Sequence, residues 1–398
     1  MKTLLKFALG LCLVASTAVS ASAGFSSLYV FGDALSATND WNGSLGPPYY
    51  YGYRDSNGRV WVEVLAQRQG VAFPYDDSYY DHNSSLTLTD VNNFTPPADV
   101  ANDLFVVWVC NADTFDTSSD VLNSSSTDYN TLLNLFKTEN IQSQANHLQI
   151  ITKLYAKGVR TLILPNAVDI SVIPAYNQGN ATAVLHAGCV DYNNGLIGTI
   201  NQARALCPGL QIYTPDYYTL LNNVLANPSY YGLINVLSGG YSIDAIANYS
   251  PSVPPLNGSA NNYIYWDPQD PTAKLHEIIA DVAQQLVSPV QISKLAVFTG
   301  SNRLDVVNVP LGLSGLVEGC TNLSVGGWTS VTNFNSTSLN QSISVNAAPL
   351  PTGPPGTNSA SGGGGPGDPG GGTGTNNVPL NSAALFYRLH FPYAWSWP

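Results

Sequence analysis

Three apolar runs constrain this chain most. Residues 28–31 read Leu-Tyr-Val-Phe, residues 104–109 Leu-Phe-Val-Val-Trp-Val, and residues 159–164 Val-Arg-Thr-Leu-Ile-Leu. The first two runs are unbroken and the third is interrupted by Arg160-Thr161; runs of this kind read as strands buried on both faces. Between the runs the spacing predicts helices. Residues 58–69 place Trp61 and Leu65 on one face, residues 129–157 read as helical in two pieces, and 183–207 form a long helix stopped by Pro208-Gly209. A short strand over 210–214 follows, then helices over 217–227 and 272–287. Residues 70–103 read as polar and turn-rich. Strands alternating with helices imply an α/β fold, a doubly wound parallel sheet with flanking helices.

The chain has 398 residues and is 44% hydrophobic, enough for a sizeable core. Charged residues make up 10%, against roughly 25% in ordinary soluble domains. The formal net charge of −12 argues against electrostatic binding to nucleic acid or to an anionic membrane. Residues 1–23 have the pattern of a secretory signal peptide. Lys2 and Lys6 precede an apolar run, and Ala21-Ser22-Ala23 offers a cleavage site. That run is too short for a membrane span, and none follows. Export is therefore expected, to the periplasm, the cell surface or the medium.

Cys12 falls within the leader, leaving Cys110, Cys189, Cys207 and Cys320. Four cysteines allow three pairings, and export permits a bridge. Cys189 and Cys207 flank one predicted helix, which argues against that pair. Four buried thiols and one bridge stay equally open. No pair has metal-ligand spacing, and no cofactor motif is present.

Past residue 289 the composition shifts to Val, Ser, Thr and Asn with period-two stretches, an all-β pattern. The expected division is a leader over 1–23, an α/β domain over 24–289, and a small C-terminal β module from 290–348 and 378–393. The Gly/Pro-rich segment 349–377 is expected to be a disordered loop or linker. The C-terminus is faintly similar to small β modules of exported bacterial proteins.

The first strand ends in Phe31-Gly32-Asp33-Ala34-Leu35-Ser36. This stretch resembles the first block of the GDSL (SGNH) ester hydrolases. Four more segments follow in the family's order, at residues 56–66, 154–176, 215–236 and 266–280. The resemblance spans about residues 27–288 and implies the SGNH-hydrolase fold. It also implies a site at the carboxyl edge of the sheet.

In that family a Ser follows Gly-Asp as nucleophile, and here the position holds Ala34. The family's last block reads Asp-x-x-His-Pro-Thr. Here it reads Asp267-Pro268-Gln269-Asp270-Pro271-Thr272, so the orienting Asp267 is present and Asp270 stands where the base should be. The resemblance assigns one oxyanion donor to Gly58 and another, an Asn, to the place of Ala112; Asn111 is one residue out of register. Ser36 is a poor substitute nucleophile, since its counterpart in the family begins the following helix. Asp270 is a poor base, its reference pKa of about 3.9 lying far below that of His. His276 reads as a packed histidine, and His82, His147, His186 and His390 match no catalytic position.

Nucleophile, base and one oxyanion donor are thus missing from a retained frame. The expectation is a pseudoenzyme of the lipase/esterase family that binds a small acyl or glycan ligand in the old cleft. Tyr51 and Tyr53, on an aromatic loop, are the candidate ligand contacts. The alternatives are an ester hydrolase acting on acylated lipids or glycans, and a surface adhesion or assembly protein working through its β module. Oligomeric state is open.

Overall fold

The computed structural model describes residues 24–39, 48–298, 300–320, 323, 327–346, 386–391 and the backbone of 395–397. The leader expected over residues 1–23 and the Gly/Pro-rich segment expected as a loop or linker lie outside the described residues.

The first half runs β1 (Ser27–Gly32), α1 (Trp61–Gln69), β2 (Ala72–Ser78), α2 (Ser84–Asn93), β3 (Leu104–Trp108), α3 (Cys110–Asn123), α4 (Tyr129–Ala156) and β4 (Thr161–Ile163). Then come α5 (Thr182–Leu206), β5 (Gln211–Tyr213), α6 (Tyr217–Ala226), a small hairpin of β6 (Leu237–Ser238) and β7 (Tyr241–Ser242), α7 (Ala245–Tyr249) and α8 (Ala273–Val287). Five strands form one parallel sheet in the order β2-β1-β3-β4-β5. The expected doubly wound sheet is therefore present. All five residues of β3 are buried, as are Leu28, Val30 and Phe31 of β1.

Three local expectations needed correction. The stretch taken as turn-rich contains β2 and α2. β2 escaped notice because Ala-Phe-Pro-Tyr-Asp-Asp-Ser is an edge strand, half-exposed and polar; Pro and charge are tolerated there. α3 begins two residues after β3, where a turn had been read. The two helical pieces over 129–157 are one helix, α4, opened by Asp128, whose carboxylate accepts the Thr131 N–H.

The C-terminal part is an all-β module. β8 (Gln291–Phe298), β9 (Ser301–Val307) and β12 (Gln341–Asn346) form one antiparallel sheet. β10 (Ser314–Cys320), β11 (Thr329–Asn335), β13 (Phe386–Phe391) and β14 (Trp395–Trp397) form the other. Val306, Val317, Ile343, Leu389 and Phe391 fill the core between them. The module docks on α1 and α8. Leu311 N–H donates to the Arg68 carbonyl at 3.2 Å, and Gln284 Nε2 of α8 donates to the Asn308 carbonyl at 3.4 Å. Buried between α1 and α8, Arg68 Nε meets Asp281 Oδ1 at 3.1 Å.

Among the described residues, Cys110, Cys189, Cys207 and Cys320 are buried free thiols with no bridge between them. Among the described residues, no helix is long and apolar enough to cross a membrane.

Candidate functional site

The chain passes from β1 outward to β2 and then back across to β3, so the strand order reverses between β1 and β3. In open α/β sheets the crevice outside the carboxyl ends at such a point is where ligands bind. Here the two strand ends are tied together. Gly32 is in register with Trp108, and the Asp33 N–H donates to the Trp108 carbonyl at 3.0 Å. Gly32 must lack a side chain, because a Cβ there would lie 2.7 Å from the Ser36 Cβ and 2.8 Å from the Ser78 Oγ.

This tie brings residues 33–35 beside the first turn of α3. A cavity of about 200 Å³ opens at that point, lined by Ala34, Ala112 and Asp270. Three of the sequence-predicted positions, far apart in the chain, thus face one space. Gly58 does not line it. It packs against the start of α8, where a Cβ would approach the Ala273 Cβ to 2.6 Å. Tyr51 and Tyr53 are exposed and lie outside the lining of this cavity. Its aromatic lining is Tyr80, Phe115 and Tyr176. Of the Tyr loop, the buried Tyr50 reaches the site instead, donating its hydroxyl to Asp267 Oδ2 at 3.0 Å. Sequence reasoning missed Tyr80 along with β2. Its one local signal is the next residue, Asp81, which lines the cavity with a left-handed φ of 56°.

Asp267 sits at the head of a tight turn. Its Oδ1 accepts the N–H groups of Gln269 and Asp270 at 2.9 and 2.8 Å. The turn is clamped from behind, where Trp266 Nε1 donates to the Tyr49 carbonyl at 2.9 Å. Burial raises the Asp267 carboxyl to about 6 against these donors. Asp270 is raised well above the ordinary carboxylate range, by burial first and then by the charge of Asp267, with Asp55 and Asp33 beyond it. Asp33 is pushed up to about 7, again mainly by burial. Arg54 does not relieve this cluster, because its guanidinium is bound in two places to Glu63. Among the described residues no cluster of His, Cys, Asp and Glu is arranged to hold a metal ion.

Several residues near the site have structural duties. The Ser36 hydroxyl is buried and accepts the Trp61 indole N–H at 3.1 Å. Asn111 is fully buried, and its side-chain oxygen accepts the Val168 N–H at 3.0 Å. Asp113 binds the Ser84 N–H and the Tyr192 hydroxyl, with His147 against the same Tyr192. His276 is buried, and its Nδ1 accepts the Trp61 backbone N–H at 3.3 Å. Burial lowers it to about 3, so it is a neutral packed histidine.

Behind the cavity lies a smaller apolar pocket of about 40 Å³, lined by Trp108, Ile173, Tyr217 and Leu275 among others. Leu35 and Gln269 border both spaces. Together they offer a polar, aromatic mouth and an apolar end.

An α/β domain with its open cavity at the β1/β3 crossing is the architecture that the motif resemblance implied. No family model matches the chain. Among curated proteins it is similar to "GDSL esterase/lipase At1g23500" of Arabidopsis thaliana, 26% identical over 137 residues, covering 33% of this chain and 38% of that one. It is also similar to "GDSL esterase/lipase At5g22810" of the same plant, 22% identical over 245 residues, covering 58% and 63%. The chain spans about two fifths of the length of the first relatives it matches. Among solved structures, phospholipase A1 from Streptomyces albidoflavus NA297 superposes with a TM-score of 0.41 at 10% identity, over 66% of this chain and 100% of that one. By sequence, then, part of the chain is similar to GDSL esterases/lipases.

Proposed function

We propose that this is an exported, catalytically silent relative of the GDSL esterases/lipases that holds a small acyl or glycan ligand in the former ester-hydrolase cleft. One observation carries this view: an open cavity is kept over Ala34, Ala112 and Asp270, and none of the three supplies what ester cleavage needs. An alanine cannot attack a carbonyl, and without a paired base even a serine there would stay protonated. A second alanine leaves the oxyanion without a side-chain donor. The frame nevertheless stands, with Asp267 held by Tyr50 and two backbone N–H groups. The aromatic mouth suits a sugar face, and the apolar pocket behind it suits a short acyl group.

The test is restoration. The unmodified protein should show no turnover of a short activated ester. Ala34→Ser alone and Asp270→His alone should recover little, each lacking the other's partner. The pair should give measurable hydrolysis, because Asp267 is in place to orient an imidazole. Adding Ala112→Asn should raise that rate by roughly 10²–10³, the usual worth of one oxyanion donor. Strong activity in the unmodified protein overturns the silent assignment in favour of an ester hydrolase. A dead triple variant that still folds means the cleft has been remodelled, and function then has to be sought in the β module.

A further inference from the structure

We propose that Asp270 works as a neutral carboxylic acid that recognises an uncharged oxygen of the ligand, so that the cleft grips hydroxyl and carbonyl groups and releases them when Asp270 gives up its proton. This rests on the ligand-holding cleft proposed above and names the chemistry it selects.

The geometry divides the two acids of this turn into unlike roles. Asp267 takes the available donors: the Tyr50 hydroxyl and the N–H groups of residues 269 and 270. Among the described residues no N–H ends on the Asp270 carboxyl. The Asp270 backbone N–H ends on Asp267 Oδ1 at 2.8 Å, so the two acids stand on one buried turn. Two carboxyl groups crowded into one buried turn do not both ionise without cost, and the one that lacks donors gives up its charge first. Asp267, already satisfied as an acceptor, keeps the charge, and Asp270 keeps the proton. Asp270 is 95% buried, yet its side chain is part of the cavity wall opposite Ala34 and Ala112. A neutral carboxyl placed there presents one O–H and one C=O, the complement of an alcohol or an acyl oxygen.

The acidic neighbours all press in the same direction, and the tyrosines among them bring no positive charge to oppose it. The 48–57 loop brings Tyr50 and Asp55. The end of β1 brings Asp33, and the end of β2 brings Tyr80 and Asp81. α3 contributes Asp116, and the loop before α5 contributes Tyr176. No Lys, Arg or His lines the cavity among the described residues, and His276 behind it is turned to Trp61. Burial and this surrounding charge push Asp270 upward, which keeps it protonated toward neutral pH. The same surroundings repel anions. Free fatty-acid carboxylates, phosphates and uronic acids are therefore poor occupants, and neutral acylated or hydroxyl-rich ligands are favoured.

The probe is N-acetylglucosamine, which is uncharged, carries both hydroxyls and an acyl carbonyl, and contains no ester. Glucuronate is the anionic control. Binding to the full-length protein is titrated by calorimetry from pH 4 to pH 9. Binding of N-acetylglucosamine should weaken at least tenfold as the pH rises, with glucuronate bound more weakly throughout. Asp270→Asn, which is neutral at every pH and keeps one donor and one acceptor, should lose most of that fall and keep only what the ionisation of Asp33 and Asp267 contributes. Measurable binding with a flat profile in the unmodified protein overturns the role of Asp270 and leaves the ligand cleft standing. So does an Asp270→Asn profile that still falls as in the parent. No binding at any pH in either protein overturns both.

Discussion

Asp33 gives the sharpest test of how burial has set the acids of this cleft. Its Oδ1 accepts the Leu35 N–H at 3.1 Å, while Oδ2 is buried without a hydrogen-bond partner. Its carboxyl is raised from 3.8 to about 7. A group whose folded pKa lies above its unfolded value contributes stability that is complete below the unfolded value. That contribution is lost as the pH climbs through the folded one. For Asp33 the loss falls between about pH 4 and pH 7 and is on the order of 4 kcal/mol at 1.36 kcal/mol per unit. Asp33→Asn removes the ionisation and keeps an oxygen for the Leu35 N–H. The variant should match the parent at pH 4 and exceed it at pH 8 by about 2–4 kcal/mol. Urea unfolding followed by tryptophan emission reads this directly, since Trp61, Trp108 and Trp266 are all fully buried in the α/β domain. Some pH dependence should survive, because Asp267 and Asp281 are each raised to about 6. Identical pH slopes for variant and parent would refute the reasoning, since Asp33 would then have to be ionised at no cost.

Two further perturbations probe the frame. Arg68→Ala leaves Asp281 buried without its cation and should cost about 3–5 kcal/mol, most of it above pH 6, by denaturant titration. The paired Arg68→Met, Asp281→Leu variant should recover most of that loss, and failure to do so would mean that the second bond of the guanidinium, from Arg68 Nη1 to the Leu311 carbonyl at 3.4 Å, carries the energy instead. Gly188→Ala places a methyl 2.4 Å from the ring of the buried Phe136, where α4 meets α5, and should lower stability by roughly 1–3 kcal/mol in a thermal melt.

What could be read from the sequence follows a physical divide. β1 and β3 were legible because both faces are buried, which forces an unbroken apolar run. β2 and α3 were not. β2 is an edge strand, and α3, Cys-Asn-Ala-Asp-Thr-Phe-Asp-Thr-Ser-Ser, buries polar side chains that are satisfied by hydrogen bonds rather than by apolar contact. The convergence of Ala34, Ala112 and Asp270 followed from motif order, because strand ends at a crossing must meet. The choice among tyrosines did not follow. Tyr50, Tyr51 and Tyr53 differ only in which way the loop turns each ring, and the clamp of Trp266 on Tyr49 is a contact between residues more than two hundred positions apart.

The distribution of labour around the cavity has a consequence for how such a site changes over generations. Ser36, Asn111, Asp113 and His276 each secure a buried donor or acceptor, and losing any one leaves an orphan. Positions 34 and 112 carry side chains that secure nothing. Selection for a folded product therefore polices the supporting residues and is blind to the reactive ones. Chemistry can drift away, and be put back, without the scaffold registering either event. A survey of variants scored on abundance alone should find the supporting positions intolerant and positions 34 and 112 permissive to small residues.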